Sequence, residues 1–354
     1  MSSKLRYFSL FSGIGAAELA FTRVFPDSIC VGHSEIDEQA LRIYKSHFPN
    51  HKNFGDVSKI DTNSIPPFDV LIGGSPCTGF SSMNADKKEW DDHRSRLILH
   101  YFRILEECRP KFFILENVAS MTNEVKNRIS MTLGIQPVFI NSAFFTAQNR
   151  RRFYWTNFTV PPVNNDVRKV LLKDILDVRD DYRESKITIH GTPMKDILPQ
   201  TRVPYAMRHL QNHNYIARDD NKMGPVLTTY STCSVVWDGK IFRQLSPIEL
   251  ERLQGFPDNW TAGVRIADRV KCVGNAFTVP VIEYILTNLK LFIDEKKAPF
   301  PYFVKVSIEE IHNNTVKRNN RTEKSIKKVV KKVVRKSKKI AKSLSKKKVN
   351  VKNV

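Results

Sequence analysis

The sequence predicts an α/β protein: a doubly wound, mainly parallel sheet, a second, smaller and irregular domain, and a basic tail. Three observations predict it. Over the first 159 residues, short apolar runs alternate with amphipathic stretches of helix length, the pattern of a parallel sheet with helical crossovers. The pattern dissolves between Val160 and Lys240, where short apolar runs alternate with Pro, Asn and Asp, and it returns at Arg243. From Lys317 to the end, 17 Lys and Arg face one acid, Glu323, so +16 of the net charge of +21 lies in the tail and +5 in the first 316 residues. The expected division is 1–159 for a first ordered domain, 160–240 for the irregular one, 241–300 for a return to the first, and 301–354 for the tail.

Taken in order, Leu5 to Leu10 reads as a strand running into Phe11-Ser12-Gly13-Ile14-Gly15, and Ala16, Leu19, Ala20 and Val24 have helical spacing. Ile29 to Gly32 reads as a second strand ending near Glu35. Asp37 then caps a helix that runs through Leu41 and Tyr44 to about Phe48. Gly55-Asp56-Val57 closes a short third element. Val70-Leu71-Ile72 is a buried strand ended by Gly73-Gly74, followed by Ser75-Pro76-Cys77-Thr78-Gly79-Phe80-Ser81. Ser82 to Asp92 is polar and reads as a loop, Leu97 to Cys108 as a helix, and Lys111 to Leu115 as a strand ending in Glu116-Asn117-Val118. Val138 to Ile140 and Phe153 to Trp155 are further strands. Pro247 to Gln254 is a helix capped by Ser246 with Pro247 at its first position, and Pro280 to Phe292 is the last helix.

The hydrophobic fraction, 41%, is ordinary for a globular chain, and 354 residues suffice for a large domain plus a smaller one. No stretch reads as the roughly 18 apolar residues of a membrane span, and Met1-Ser2-Ser3-Lys4 lacks a signal peptide's apolar core. The five cysteines are scattered without paired ligand spacing, which predicts free thiols and no metal site. A mildly basic body with an extremely basic tail suits a polyanion partner. In the tail, Ile326, Val329, Val330, Val333 and Val334 recur at helical spacing between lysine pairs, a pattern that fits nucleic-acid binding, nuclear targeting or a solvated tail.

Chemistry is concentrated at the predicted strand ends. A cysteine on a stiff turn just past a strand is a candidate nucleophile, although a lone cysteine is more often inert. Gly13 and Gly15 permit a tight turn and close backbone approach to a ligand. Glu35, at the end of the next strand, can accept hydrogen bonds from ribose hydroxyls. Position 18, where a phosphate-binding pattern has its third glycine, is Glu18, so a nucleoside cofactor without phosphates fits better than a dinucleotide. S-adenosylmethionine is the obvious one, and Asp56 could take the adenine amino group. Alone, Glu35 and Asp56 would pass for surface acids. Glu116, close to Cys77 on a neighbouring strand, could donate to a ring nitrogen, and on local grounds could equally cap a turn. Gln148, Arg150 and Arg152 alternate and would share a face; two inward arginines are expensive unless they meet an anion or a carbonyl. A solvated basic turn is the plain alternative.

Together these residues resemble the cytosine-5 DNA methyltransferases. Phe11-Ser12-Gly13-Ile14-Gly15 is similar to the family's cofactor motif, and Ser75-Pro76-Cys77 with Phe80-Ser81 to its catalytic loop. Glu116-Asn117-Val118 and Gln148-x-Arg150-x-Arg152 are similar to two supporting motifs. Arg243-x-Leu245-Ser246-Pro247-x-Glu249 through Leu253-Gln254-Gly255-Phe256-Pro257 is similar to the ninth motif, and Gly274-Asn275-Ala276 with Val279-Pro280 to the tenth. Ser9 stands where many members have Asp, and Thr78-Gly79 replaces a common Gln. The resemblance implies a Rossmann-like methyltransferase fold, double-stranded DNA and S-adenosylmethionine as partners, and no metal. It implies catalytic roles for Cys77, Glu116, Arg150 and Arg152, the two arginines holding the base carbonyl and the loop. It implies a cofactor pocket of Phe11, Gly13, Gly15, Glu35, Ile36, Asp56, Val57, Pro76, Leu97, Asn275 and Ala276. It further implies target recognition within Val160 to Lys240, a place with the enzymes of restriction–modification systems, and a cytoplasmic setting in a prokaryote or phage. A tRNA-modifying branch of the family carries Cys-Phe-Thr where this chain reads Thr228-Thr229-Tyr230-Ser231-Thr232-Cys233, so DNA ranks above RNA.

Overall fold

A computed structural model describes residues 4–76, 97–163, 170–177, 188–189, 192–193, 204–209, 215–229 and 235–302. All of these belong to one compact unit, residues 1–304. Cys77, the expected loop Ser82 to Asp92 and the valine-bearing tail lie outside the described residues.

Six strands form the main sheet: β1 (Arg6–Leu10), β2 (Ile29–Ser34), β3 (Val70–Gly74), β4 (Phe112–Val118), β5 (Val138–Asn141) and β6 (Arg151–Thr156). Their spatial order is β2-β1-β3-β4-β6-β5. β1 runs parallel to β2 and β3, and β3 to β4, whereas β6 is antiparallel to both β4 and β5. Strand order reverses between β1 and β3. Their following loops diverge there and leave a crevice at the carboxyl ends of the strands.

The central strands β3 and β4 form because each opens with a continuous apolar run, and β1 beside them adds Phe8 and Leu10. Phe8, Leu10, Val70, Leu71, Ile72, Phe113, Ile114 and Leu115 are all 0% exposed. Helices α1 (Ala16–Val24), α2 (Glu38–His47), α3 (Leu97–Cys108) and α4 (Asn123–Leu133) flank the sheet strands in sequence. Asp37 caps α2, its side chain accepting from the amides of Gln39 and Ala40. The α4 helix was not expected, yet Thr122 caps it, Gly134 ends it at φ 70°, and Val125, Ile129 and Leu133 form its buried stripe.

After a one-turn helix, α5 (Leu172–Ile175), come two-residue strands β7 (Thr188–Ile189) and β8 (Thr192–Pro193). Then β9 (Tyr205–His209), β10 (Tyr215–Ala217), β11 (Val235–Trp237) and β12 (Phe242–Gln244) form an antiparallel sheet in the order β10-β9-β11-β12. Three helices follow among the described residues, α6 (Pro247–Gln254), α7 (Ile266–Asn275) and α8 (Val279–Asp294). Ser246 and Glu249 make a capping box for α6, and Gly255 ends it at φ 80°.

The α8 helix packs along α1. Its Val281, Ile282, Ile285, Leu286 and Leu289 are fully buried, each contributing roughly 1.5–3 kcal/mol. The stretch Ile266–Asp294 has a mean hydropathy of 1.4 over its most apolar 18 residues, enough by composition for a membrane span, which the sequence reading did not anticipate. It is broken into α7 and α8 at Ala276–Thr278, and its apolar stripes belong to the core.

The expected short third element before Gly55-Asp56-Val57 is an isolated bridge followed by a turn. Asn53 makes a single bridge to His33, and Asp56 caps a 3-10 turn, Val57–Lys59. Asp and Gly there favour a turn over an extended run.

Candidate active site

The loop after β1 turns through left-handed backbone at Phe11 (φ 55°), Gly13 (φ 57°) and Gly15 (φ 85°). A Cβ at Gly15 would also stand 2.7 Å from the Phe48 ring, so glycine is required there for both conformation and space. The loop is tied to β2. The Ser12 amide donates to the Ser34 carbonyl at 3.1 Å, the Ser12 hydroxyl pairs with His33 Nδ1 at 2.8 Å, and the Gly13 amide donates to Glu35 Oε2 at 2.9 Å. Glu35 Oε1 accepts from the amides of Ile36 (2.7 Å) and Asp37 (2.8 Å). Asn53 Oδ1 accepts from the Glu35 and Gly55 amides, and Asn53 Nδ2 donates to the Glu35 carbonyl. A carboxylate offers about four lone-pair sites. Three on Glu35 hold amides, which fixes the group and leaves capacity for a hydroxyl.

Further residues of the expected pocket lie on the elements that follow Glu35 in the chain. Ile36 is 68% exposed, an apolar side chain held out at the end of β2. Asp56 accepts from the Ser58 amide (2.9 Å) and hydroxyl (2.7 Å). Partial burial pushes the Asp56 carboxyl up, but Ser58, Lys59 and His100 outweigh it and hold the group below the usual range. Val57 is buried, and its carbonyl accepts from Arg103 of α3 at 3.0 Å. Leu97, half-buried, opens α3. Glu18 is a correction. It is fully buried in the first turn of α1, so it could not meet a ligand's phosphates, and the argument it supplied against a dinucleotide falls.

The second half of the site lies at the ends of β3 and β4. Their register pairs Gly74 with Glu116. A Cβ at Gly74 would lie 2.9 Å from Glu116 Oε2 and 2.6 Å from the Phe277 ring, so only glycine lets the strand end pass this close. The Ser75 hydroxyl accepts from Asn117 Nδ2 at 3.1 Å, and Asn117 Oδ1 accepts from the Val118 amide. The half-buried Pro76 is therefore launched beside Glu116, one residue before Cys77.

The antiparallel β6 brings Arg152 opposite Val118, and Arg152 Nε meets Glu116 Oε1 at 2.8 Å. These side chains are 14% and 11% exposed. Arg150 is buried among main-chain carbonyls, those of Val226 (3.3 Å), Gly274 (3.1 Å) and Ala276 (3.1 Å). One inward arginine thus meets an anion and the other carbonyls. Arg150 thereby braces the Gly274–Ala276 segment. Gln148 joins the same network, donating to the Leu253 carbonyl and to Gln254 Oε1 and accepting from the Val226 amide. Gln254 Nε2 in turn donates to the carbonyls of Val273 and Ala276. The network leaves Ala276 buried and Asn275 exposed at the end of α7.

Two site residues escaped the sequence reading. Phe277 covers Gly74, and its only sequence signal was its place directly after Asn275-Ala276. Trp260 donates its indole N–H to the Ile14 carbonyl at 2.9 Å and stacks on His47 with ring centroids 3.5 Å apart. A tryptophan close behind Phe256-Pro257 was visible, but its partner across 246 residues was not.

The site therefore combines a glycine-turned loop with a fixed carboxylate after β1 and β2, and a Gly-Ser-Pro turn beside a carboxylate–arginine pair after β3 and β4. Residues 5–291 match the family described as C-5 cytosine-specific DNA methylase. The chain belongs to that family. It is 30% identical over 325 residues to the Type II methyltransferase M1.ScrFI of Lactococcus lactis subsp. cremoris, covering 84% of this chain and 80% of that one. It is 39% identical over 176 residues to the orphan methyltransferase M.Rho11sI of Bacillus phage rho11s, a match that takes in 46% of this chain and spans 35% of the length of that relative. Among solved structures it is similar in fold to the Entamoeba histolytica methyltransferase EhMeth, with a TM-score of 0.59, 19% identity, and coverage of 84% of this chain and 100% of the other.

Proposed function

We propose that the protein is a DNA (cytosine-5-)-methyltransferase that uses S-adenosylmethionine. The observation that carries this reading is the register of β3 on β4, which sets the turn leading to Cys77 beside the Glu116–Arg152 pair. The residues present fit the cofactor. Glu35 keeps acceptor capacity for a ribose hydroxyl, the exposed Ile36 offers apolar surface for a base, Asp56 would accept from an adenine amino group, and Val57, Asn275 and Ala276 would complete the pocket. When bound, S-adenosylmethionine supplies an electrophilic methyl group.

The chain's own residues do the rest. The target cytosine is taken out of the duplex, because its ring is unreachable within the stack. The Cys77 thiolate adds to carbon 6, forming a carbon–sulfur bond. Glu116 protonates or hydrogen-bonds ring nitrogen 3, so that negative charge does not build on the ring, and Arg152 holds Glu116 in place. Carbon 5, made nucleophilic, would take the methyl group as the methyl–sulfonium bond breaks, the neutral thioether S-adenosylhomocysteine being the leaving group. Transfer of the carbon 5 proton to water or another base re-forms the 5,6 double bond, breaks the carbon–sulfur bond and frees Cys77 as its thiolate. Sequence choice is assigned to 160–240, where side chains would reach base edges. The relatives' phage and bacterial sources favour a cytoplasmic setting.

The test is methyl transfer from radiolabelled S-adenosylmethionine to duplex DNA and, separately, to tRNA. Label in DNA recovered as 5-methylcytosine is expected. Label confined to tRNA, or absent from both, overturns the reading.

A further inference from the structure

Behind the Phe11–Gly15 loop lies a buried polar cluster that the proposed reaction does not use. Glu18, Ser9, His33 and Tyr44 are all at most 1% exposed. Ser9 of β1 and His33 of β2 are paired across the sheet, and Tyr44 of α2 stacks on His33 with ring centroids 3.9 Å apart. The hydroxyls of Ser9 and Tyr44 stand against the Glu18 carboxyl, and Tyr7 of β1 and Cys30 of β2 also face it. Yet both Glu18 oxygens, Ser9 Oγ and His33 Nε2 have no hydrogen-bond partner. No positive charge stands against the carboxyl among the described residues. Lys45 and His51 act on His33, and α8 meets the far end of α1, where Glu283 pairs with Arg23 and Lys290 donates to the Val24 carbonyl.

The cluster touches the loop at His33 and flanks it in sequence on both sides. Ser9 precedes it, His33 holds Ser12 within it at 2.8 Å, and Glu18 follows it. An ionised carboxylate in this place would be a buried charge with no cation beside it and only the Ser9 and Tyr44 hydroxyls to face, a costly state relieved by turning toward water. Such a turn moves the first turn of α1, and with it Gly13 and its bond to Glu35.

We propose that Glu18 is a positioning residue that holds the cofactor loop in its neutral, protonated form, and that its loss of a proton weakens cofactor binding. The proposal rests on the reading of this site as the S-adenosylmethionine site. Burial supports it by pushing the Glu18 acid up to about 7. The same burial pulls His33 down to about 4, so His33 stays neutral across the relevant range.

The experiment is calorimetric titration of the full chain with S-adenosylmethionine from pH 6 to pH 8. The wild type is expected to approach tenfold weaker binding at pH 8 than at pH 6, since only the protonated form binds well. Glu18→Gln, a neutral side chain of the same shape, should match the wild type at pH 6 and lose the Glu18 share of the decline, while any titration of the ligand itself persists in both. Glu18→Met serves the same purpose should the amide disturb folding. In the wild type alone, titration in buffers of differing ionisation enthalpy should show proton uptake on binding at pH 8. Parallel declines in wild type and variants, or no proton uptake, overturn the proposal. Absence of binding by the wild type at every pH would instead sink the assignment of the site.

Discussion

Cys77→Ser is expected to abolish turnover, by roughly 10⁴-fold or more, as removal of an enzyme's nucleophile does. The structure fixes everything up to Pro76. Gly74 is in register with Glu116, and the Ser75 hydroxyl is held by Asn117. A serine hydroxyl at position 77 would stand in the same place but is a far weaker nucleophile near neutral pH. The described loop end and the Glu116–Arg152 pair are held by bonds among other residues, so DNA and cofactor binding should survive. Single-turnover kinetics measure the first effect and gel-shift titration the second. Substantial activity in the serine variant would remove Cys77 from the mechanism.

Glu116→Gln is expected to lower the rate of the chemical step by roughly 10²–10⁴-fold, the usual weight of a general acid. The amide oxygen can still accept from Arg152, so the pair's geometry is kept while the proton is lost. Cofactor affinity should change little, because Glu116 belongs to the β4 side of the crevice. Glu35→Ala is the contrasting case. It strips an acceptor from the amides of Gly13, Ile36 and Asp37 and should weaken cofactor binding by roughly 1–3 kcal/mol. Measured kcat and cofactor Kd for the two variants separate the roles. A Kd effect confined to Glu116→Gln with a rate effect confined to Glu35→Ala would mean that the two carboxylates have been assigned the wrong way round.

The sheet was legible where a strand is an unbroken buried run ended by glycine, as in Val70–Gly74. The α2 and α6 helices were legible from their caps, Asp37 and Ser246. α7 escaped because Arg265 caps nothing with its side chain and Ile266 at its start is 58% exposed. The second sheet escaped because its strands are three to five residues long and pair across the chain, as Val236 does with Ala206. No local pattern encodes such pairing. For the site, motif spacing placed Glu35 and Glu116 at strand ends. It could not give strand direction, and it is the antiparallel run of β6 that carries Arg152 to Glu116. Nor could it show that Glu18 faces inward. An acid in a first helical turn reads as a surface residue favoured by the helix dipole, but α1 is buried on all sides from Ala16 to Phe21, α8 packing along it.

The central claim is that a thiolate adds to the cytosine ring. The most direct measurement is covalent trapping on duplex DNA carrying 5-fluorocytosine at the methylated position, with S-adenosylmethionine present. Fluorine cannot leave carbon 5 as a proton does, so the addition product should persist. A protein–DNA adduct that survives denaturation is expected, its mass including one methyl group, mapping to the peptide of Cys77 and absent from Cys77→Ser. No adduct from an active wild-type enzyme, or an adduct that maps to another residue, would contradict the account.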